Sequence, residues 1–328
     1  LSIKLLTTAT LFMAVGQAGR GQAENAPFGK RLEIWLSPMD DVTQNGRDIH
    51  EMLDNPQTWH VAARYTQEIS LPANYLLQTP RETAIKELSQ VKKAGLRLNV
   101  FLGVLPVDKT ICGAGVEGLA WPGEAASYAA RLKRLGADIA SFTFDLPLSD
   151  AHFLRSDQVR HACNLSIAET AQRLGRAVRA MRAFYPRADL IDVEVPTGMP
   201  TALWIAALSE WLDAFQLAAG EPFRGLIMDA WWKFPWQDTV RQTVTLLHGR
   251  GIRAGIFIDE SDGKAMPPST WIDAAKHNDC ALRATGTTLD LLVVANWSNP
   301  SVHNGPEHDT STLTGLLDWV AERGVCPQ

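Results

Sequence analysis

The chain has 328 residues, 46% of them hydrophobic, enough for a full core in one large α/β domain. A formal charge of −5 and scattered rather than clustered Lys and Arg argue against a nucleic-acid partner. Arg173, Arg176, Arg179 and Arg182 read as the solvated face of a helix. At the N-terminus, Lys4 precedes an apolar run from Leu5 to Val15, and small residues follow through Ala23 and Ala26. That pattern predicts a signal peptide over residues 1–26 and a single domain over residues 27–328. The run is too short to span a bilayer, which takes about 20 residues, so no stable membrane insertion is expected. Four cysteines in an exported chain invite disulfides. Cys112 and Cys163 fall in loops predicted after the third and fourth strands, and Cys280 and Cys326 near the last helices. Three pairings are open to four cysteines, and 112–163 with 280–326 is the one these positions favour.

Past residue 30 the chain repeats strand, loop, amphipathic helix. Strands are predicted at 31–37, 67–72, 96–104, 138–146, 189–195, 224–230, 252–259 and 290–297. Thr79-Pro80 opens a helix that stops at Gly95, and Ser166 opens another carrying Leu174, Val178 and Met181. Eight strands alternating with helices predict a (β/α)8 TIM barrel. The alternative, a doubly wound sheet, lacks its Gly-rich phosphate loop after the first strand.

Side chains on a strand alternate between its two faces. Leu32, Ile34 and Leu36 oppose Glu33, Trp35 and Ser37; Leu98, Val100 and Leu102 oppose Arg97, Asn99 and Phe101; Phe142 and Phe144 oppose Ser141, Thr143 and Asp145. On the fifth strand Ile191, Val193 and Val195 oppose Asp192 and Glu194. If the apolar face meets the helices, the inward set holds Glu33, Glu68, Asp145, Asp192, Glu194, Asp229 and Asp259. Pairing with Arg97 or loop amides accounts for Glu33, Glu68 and Asp192. Asp145, Glu194, Asp229 and Asp259 sit at the strand ends where barrel enzymes place their chemistry.

Glycoside hydrolysis needs two carboxyl groups about the scissile bond, and crowding separates their pKa values into acid and base. Glu194 and Asp145 are the expected catalytic pair, with Asp229 and Asp259 holding hydroxyls or developing charge. Indoles give sugars a flat apolar surface. Trp35, Trp231, Trp232 and Trp297 are expected to bind substrate, whereas Trp204, Trp211 and Trp319 have helical spacing and read as core. No cofactor and no metal is expected: His152, His161, His303 and His308 lie in loops without a strand-borne pair. No G-x-S-x-G elbow supports a serine hydrolase.

The runs CGAGVEG (Cys112–Gly118), FDLPL (Phe144–Leu148), ACNLS (Ala162–Ser166) and ANWSNPSVHNGPE (Ala295–Glu307) resemble a group of exported bacterial barrels described as glycoside-hydrolase-like. The resemblance implies a poly- or oligosaccharide substrate and a role for Glu117. Members of that group tend to end the fourth strand Asp-Glu-Pro-Leu, and Leu146 stands where the second acid would be. That departure keeps open a non-catalytic carbohydrate-binding barrel beside the hydrolase or transglycosidase. Asp145, Glu194 and Asp259, ending the fourth, fifth and seventh strands, are also similar in position to the catalytic acids of the α-amylase families.

Overall fold

The computed structural model describes residues 32–38, 47–154, 162–260, 266–297, 299 and 301–326. The expected leader at 1–26 and His161 lie outside the described residues.

Each predicted strand forms: β1 (Glu33–Ser37), β2 (Glu68–Pro72), β3 (Arg97–Leu102), β6 (Ile139–Phe144), β7 (Asp189–Glu194), β8 (Gly225–Met228), β9 (Arg253–Ile258) and β10 (Leu291–Ala295). They pair in parallel in that order, and β10 closes on β1 with Glu33 opposite Leu291 and Ser37 opposite Ala295. Two further strands, β4 (Leu105–Pro106) and β5 (Leu119–Ala120), form a small ribbon inside the loop after β3. Two residues per strand gave no alternation to read.

The surrounding helices are α1 (Arg47–Asp54), α2 (His60–Tyr65), α3 (Ala73–Gln78), α4 (Arg81–Lys93), α5 (Glu124–Leu135), α6 (Ile167–Arg182), α7 (Thr201–Ala219), α8 (Gln237–Gly249), α9 (Pro268–Ala284) and α10 (Leu313–Ala321). The predicted start of α6 carries a full capping box, Ser166 and Glu169 each bonding the other's backbone N–H. Helix α4 ends before Gly95, whose φ of 75° needs no Cβ to be strain-free. Among the described residues no helix is long and apolar enough to cross a membrane.

Two apolar layers hold the barrel. The outer one packs Leu36, Val100, Phe142, Leu226, Ile256 and Val294 against the helices, with Trp204 and Trp211 fully buried. The inner one joins Trp35, Ile191, Val193, Ile227, Phe257 and Val293 at the barrel's centre. Gly255 makes room for it, since a Cβ there would lie 3.1 Å from Leu291. The rest of the interior is polar. Asn99 accepts from Ser70 at 2.6 Å and donates to Ser141 at 2.6 Å and Thr143 at 2.8 Å. Arg97 pairs with Glu33 at 3.2 Å and Glu68 at 3.0 Å, and Arg253 pairs with Glu33 at 3.0 Å.

One strand is corrected. On β7 the apolar residues Ile191 and Val193 point inward, and Asp192 and Glu194 point to the helix layer. The pairing imposes this: Asp192 lies opposite Phe144 and Leu190 opposite Phe142, both outward residues of β6. Asp192 accepts the indole N–H of Trp211 on α7 at 2.7 Å. The assumption that apolar side chains must face the helices fails because this part of the barrel's centre is equally dry.

Cys112 is bonded to Cys163 and Cys280 to Cys326. The first bridge ties the loop after β3 to the segment before α6, across 51 positions. A Cys112→Ala/Cys163→Ala double variant should lose about 2–4 kcal/mol, the usual worth of a bridge closing such a loop. Urea unfolding with the other bridge intact checks this.

Candidate active site

A cavity of about 660 Å³ opens at the C-terminal ends of the strands. Of the residues singled out from the sequence, Glu117, Asp145, Asp229, Trp231, Asp259 and Trp297 line it together. Trp231 and Trp297 are exposed, as is Trp121, another indole on the lining.

Asp145 directly follows β6 and points inward, as the strand alternation predicts. Glu117 reaches it from the loop after β3, where two glycines allow backbones to touch. A Cβ on Gly103 would lie 2.0 Å from the Glu117 carbonyl oxygen, and one on Gly118 would lie 2.2 Å from that of Asp145. Asp150 pins the same loop by accepting the Gly118 N–H at 3.0 Å.

Leu146, next to Asp145, is a non-glycine residue with φ of 45°, and lines the cavity. Such a backbone costs of order 1 kcal/mol or more and persists only where its surroundings enforce it. Here the enforcement comes from Glu194. Its Oε1 accepts the Leu148 N–H at 2.7 Å, and its Oε2 accepts the Ser149 N–H at 2.8 Å and the Ser149 hydroxyl at 2.6 Å. Glu194 is fully buried and is not on the cavity lining. Expected as the leading catalytic acid, it caps the helical turn that follows Asp145.

Asp259 is 3% exposed and lies on the cavity wall. Its Oδ1 accepts the Trp232 indole N–H at 2.9 Å, and Trp232 packs edge-on against Trp236 at 5.0 Å. Trp232, expected to touch substrate, lies off the lining and holds Asp259 instead. Trp35 is fully buried in the inner apolar layer, with its indole N–H 3.3 Å from Glu33. Its inward direction is as predicted, but mid-strand it sits below the mouth. Trp297 stands higher, tilted against Phe101 at 5.0 Å and edge-on to Phe257 at 5.1 Å.

Sequence reasoning missed Asn74, Lys109, Glu124, Tyr128 and Asn296, which also line the cavity. Their signal was position: four belong to segments following β2, β3 and β10, and Tyr128 lies in the first turns of α5. Asn296 has its amide N–H groups directed to the Asn299 and Val302 carbonyls at 2.9 and 3.2 Å, shaping the loop around Trp297.

Burial first, then the nearby charges of Glu117, Asp150, Asp229 and Glu194, holds the Asp145 carboxyl well above the usual carboxylate range. Burial and Asp229 raise Asp259 similarly. Asp229 is raised to about 6, burial outweighing its hydrogen bond with Trp231. Both carboxyls are therefore pushed up by their surroundings, Asp145 more strongly than Asp229, which makes them acids of unequal strength. That is the raw material of general acid–base chemistry.

No family model matches the chain, and no curated protein matches its sequence. Solved structures do match. Xylanase 10C from Cellvibrio japonicus aligns with a TM-score of 0.52 and 11% identity over 91% of this chain and 72% of that one. A psychrophilic glycoside hydrolase family 10 endo-β-1,4-xylanase gives 0.50 and 13%, over 81% and 86%. A glucosidase from Croceicoccus marinus gives 0.51 and 9%, over 83% and 63%. The chain has the fold of glycoside hydrolase TIM barrels. At these identities the likeness extends to the fold alone.

The raised acids set a pH dependence of stability. A carboxyl whose folded pKa exceeds its unfolded value stabilises fully below the unfolded pKa and loses that contribution as pH rises through the folded one. Asp229, at about 6, and Glu68, raised by burial to about 7, place the loss between the ordinary carboxylate range and neutrality. The thermal midpoint should therefore fall from about pH 5 to about pH 8, and Asp229→Asn should flatten the slope near the middle. Calorimetry across that range gives the answer; a midpoint that rises toward pH 8 contradicts it.

Proposed function

We propose that this protein is a glycoside hydrolase or transglycosidase acting on a poly- or oligosaccharide in the periplasm or outside the cell. One observation carries the reading: carboxyl groups of unequal acidity and exposed indole faces line one cavity at the C-terminal end of a (β/α)8 barrel. Two disulfides and the expected leader support export.

In this reading Asp145 is the proton donor. Burial and neighbouring acids favour its protonated form, and no donor among the described residues bonds its carboxyl, which leaves a proton there free to pass to a leaving oxygen. Asp229 is the partner that acts as nucleophile or activates water, being ionised above about pH 6. Glu117 and Asp259 face the sugar hydroxyls and the charge that develops on the ring. Trp121, Trp231 and Trp297 stack on sugar rings. Glu194 is a positioning residue that fixes the turn after Asp145.

Leu146 favours a second reading, a barrel that binds saccharide without cleaving it. It fills with hydrocarbon the place where the resembling group carries an acid, and packs on the inner apolar layer.

Kinetics with a cleaved saccharide separate the two. Asp145→Asn and Asp229→Asn should each lower kcat by about a hundredfold or more with the fold retained, as expected when an acid or base is removed. Glu194→Gln should lower kcat and the thermal midpoint together, because it loosens the turn. Near-normal turnover in both Asp variants refutes the catalytic assignment; binding without turnover in the unmodified protein selects the second reading. Trp231→Ala should weaken oligosaccharide binding by about 1 kcal/mol without lowering the thermal midpoint. Unchanged affinity with lost stability would place that indole in the core.

A further inference from the structure

We infer that a saccharide subsite lies just outside the cavity, on the Phe234 ring beside Trp231. The substrate it implies is a polysaccharide chain that runs out over the rim, not a short oligosaccharide held wholly inside. The inference rests on the saccharide reading above and narrows its substrate class.

Among the described residues the exposed aromatic rings are Trp121, Trp231, Phe234 and Trp297. Three of them line the cavity; Phe234 does not. It stands instead against Trp231, with ring centroids 6.0 Å apart and planes 26° from parallel. Rings so nearly parallel turn a face the same way, and the aromatic surface that begins on the cavity wall continues past its edge. The Lys233 ammonium lies 5.8 Å from both centroids, which sets a hydrogen-bond donor beside the pair.

The short segment that carries the rings is held at several points. The Trp231 N–H donates to the Thr197 hydroxyl at 3.0 Å, and the Trp231 side chain hydrogen-bonds with Asp229. The Phe234 N–H closes a turn on the Trp231 carbonyl at 3.0 Å. Between them Trp232 is anchored to Asp259 at 2.9 Å, and beyond them Trp236 is buried at the head of α8. A platform fixed before its ligand arrives loses little freedom on binding.

A single exposed phenyl ring needs no explanation. This one extends the stacking surface of an indole bonded to the proposed nucleophile or base. A sugar on Trp231 therefore lies next to the proposed chemistry, and the unit that follows it along the chain meets Phe234. Pyranose rings offer C–H faces to such a surface and keep hydroxyls at their edges for the Lys233 donor. Two rings are far too small an apolar patch for a stable protein interface.

The test is the dependence of affinity on chain length. Titration calorimetry of the full chain is run with xylo-, cello-, manno- and chito-oligosaccharides from disaccharide to hexasaccharide, and with the matching soluble polymers. In the series that binds, the step that carries the chain past the cavity should tighten binding by about fivefold, the worth of one aromatic contact. Phe234→Ala and Phe234→Leu should each remove most of that step, leucine keeping an apolar contact on Trp231 without the flat face. Phe234→Trp should retain it, and the thermal midpoint should hold in all three. A step that survives Phe234→Ala, or no step at all, overturns the inference and leaves the saccharide reading standing. So does a loss of equal size at every chain length, which would make Phe234 a support for Trp231 alone. If no series and no polymer is bound or cleaved, the subsite and the saccharide reading fall together.

Discussion

The helical turn after β6 has no side-chain cap of its own, and its first amides would be buried without acceptors. Glu194 supplies them from the neighbouring strand, one carboxylate oxygen to Leu148 and the other to Ser149. Ser149 passes the connection back, its hydroxyl accepting the Val195 N–H at 3.2 Å. This exchange holds Leu146 in a left-handed backbone that a leucine does not adopt unaided. With Leu146 fixed, Asp145 is fixed; with Asp150 fixed one turn on, the Gly118 amide and the loop carrying Glu117 are fixed too. Three loops of the mouth therefore depend on one buried carboxylate that never meets the cavity. Removing it leaves two amides unsatisfied, a larger loss than any single apolar contact there.

Below the mouth the barrel interior is split. The side built from β2, β3 and β6 is a hydrogen-bonded ladder of Glu68, Ser70, Asn99, Ser141 and Thr143. The side built from β7 to β10 is hydrocarbon. The ladder is fully engaged, so it fixes the relative height of its strands as well as filling space. The dry side removes water from beneath Asp229 and Asp259, which is why burial leads the causes that raise both.

This division explains what the sequence discloses and what it withholds. Strand positions, the inward aim of Asp145, Asp229 and Asp259, and both cysteine pairs are legible because each rests on local spacing or loop order. The phase of β7 is not. Its alternation of Ile191 and Val193 with Asp192 and Glu194 identifies two faces but not which is inside, since both are dry. The choice is made by register with β6, a pairing separated by about fifty residues of chain, and by partners no local pattern announces: the Trp211 indole and the amides after Asp145. Trp35 was misread for a related reason. Alternation gives the direction of a side chain and says nothing of its height along the barrel axis.

Height is what turns the same residue type into opposite things. Glu33 and Glu68, low in the barrel, meet arginines and behave as structure. Asp145, Asp229 and Asp259, a few residues further along their own strands, meet each other. Selection for stability alone would place an arginine or an amide among them, since carboxyl groups forced to share a dry space cost more than they return in the empty state. Here the donors are indoles instead, Trp232 on Asp259 and Trp231 on Asp229, and Asp145 takes none among the described residues. Position along the barrel axis, rather than residue type, thus decides whether a carboxyl meets an arginine or another acid.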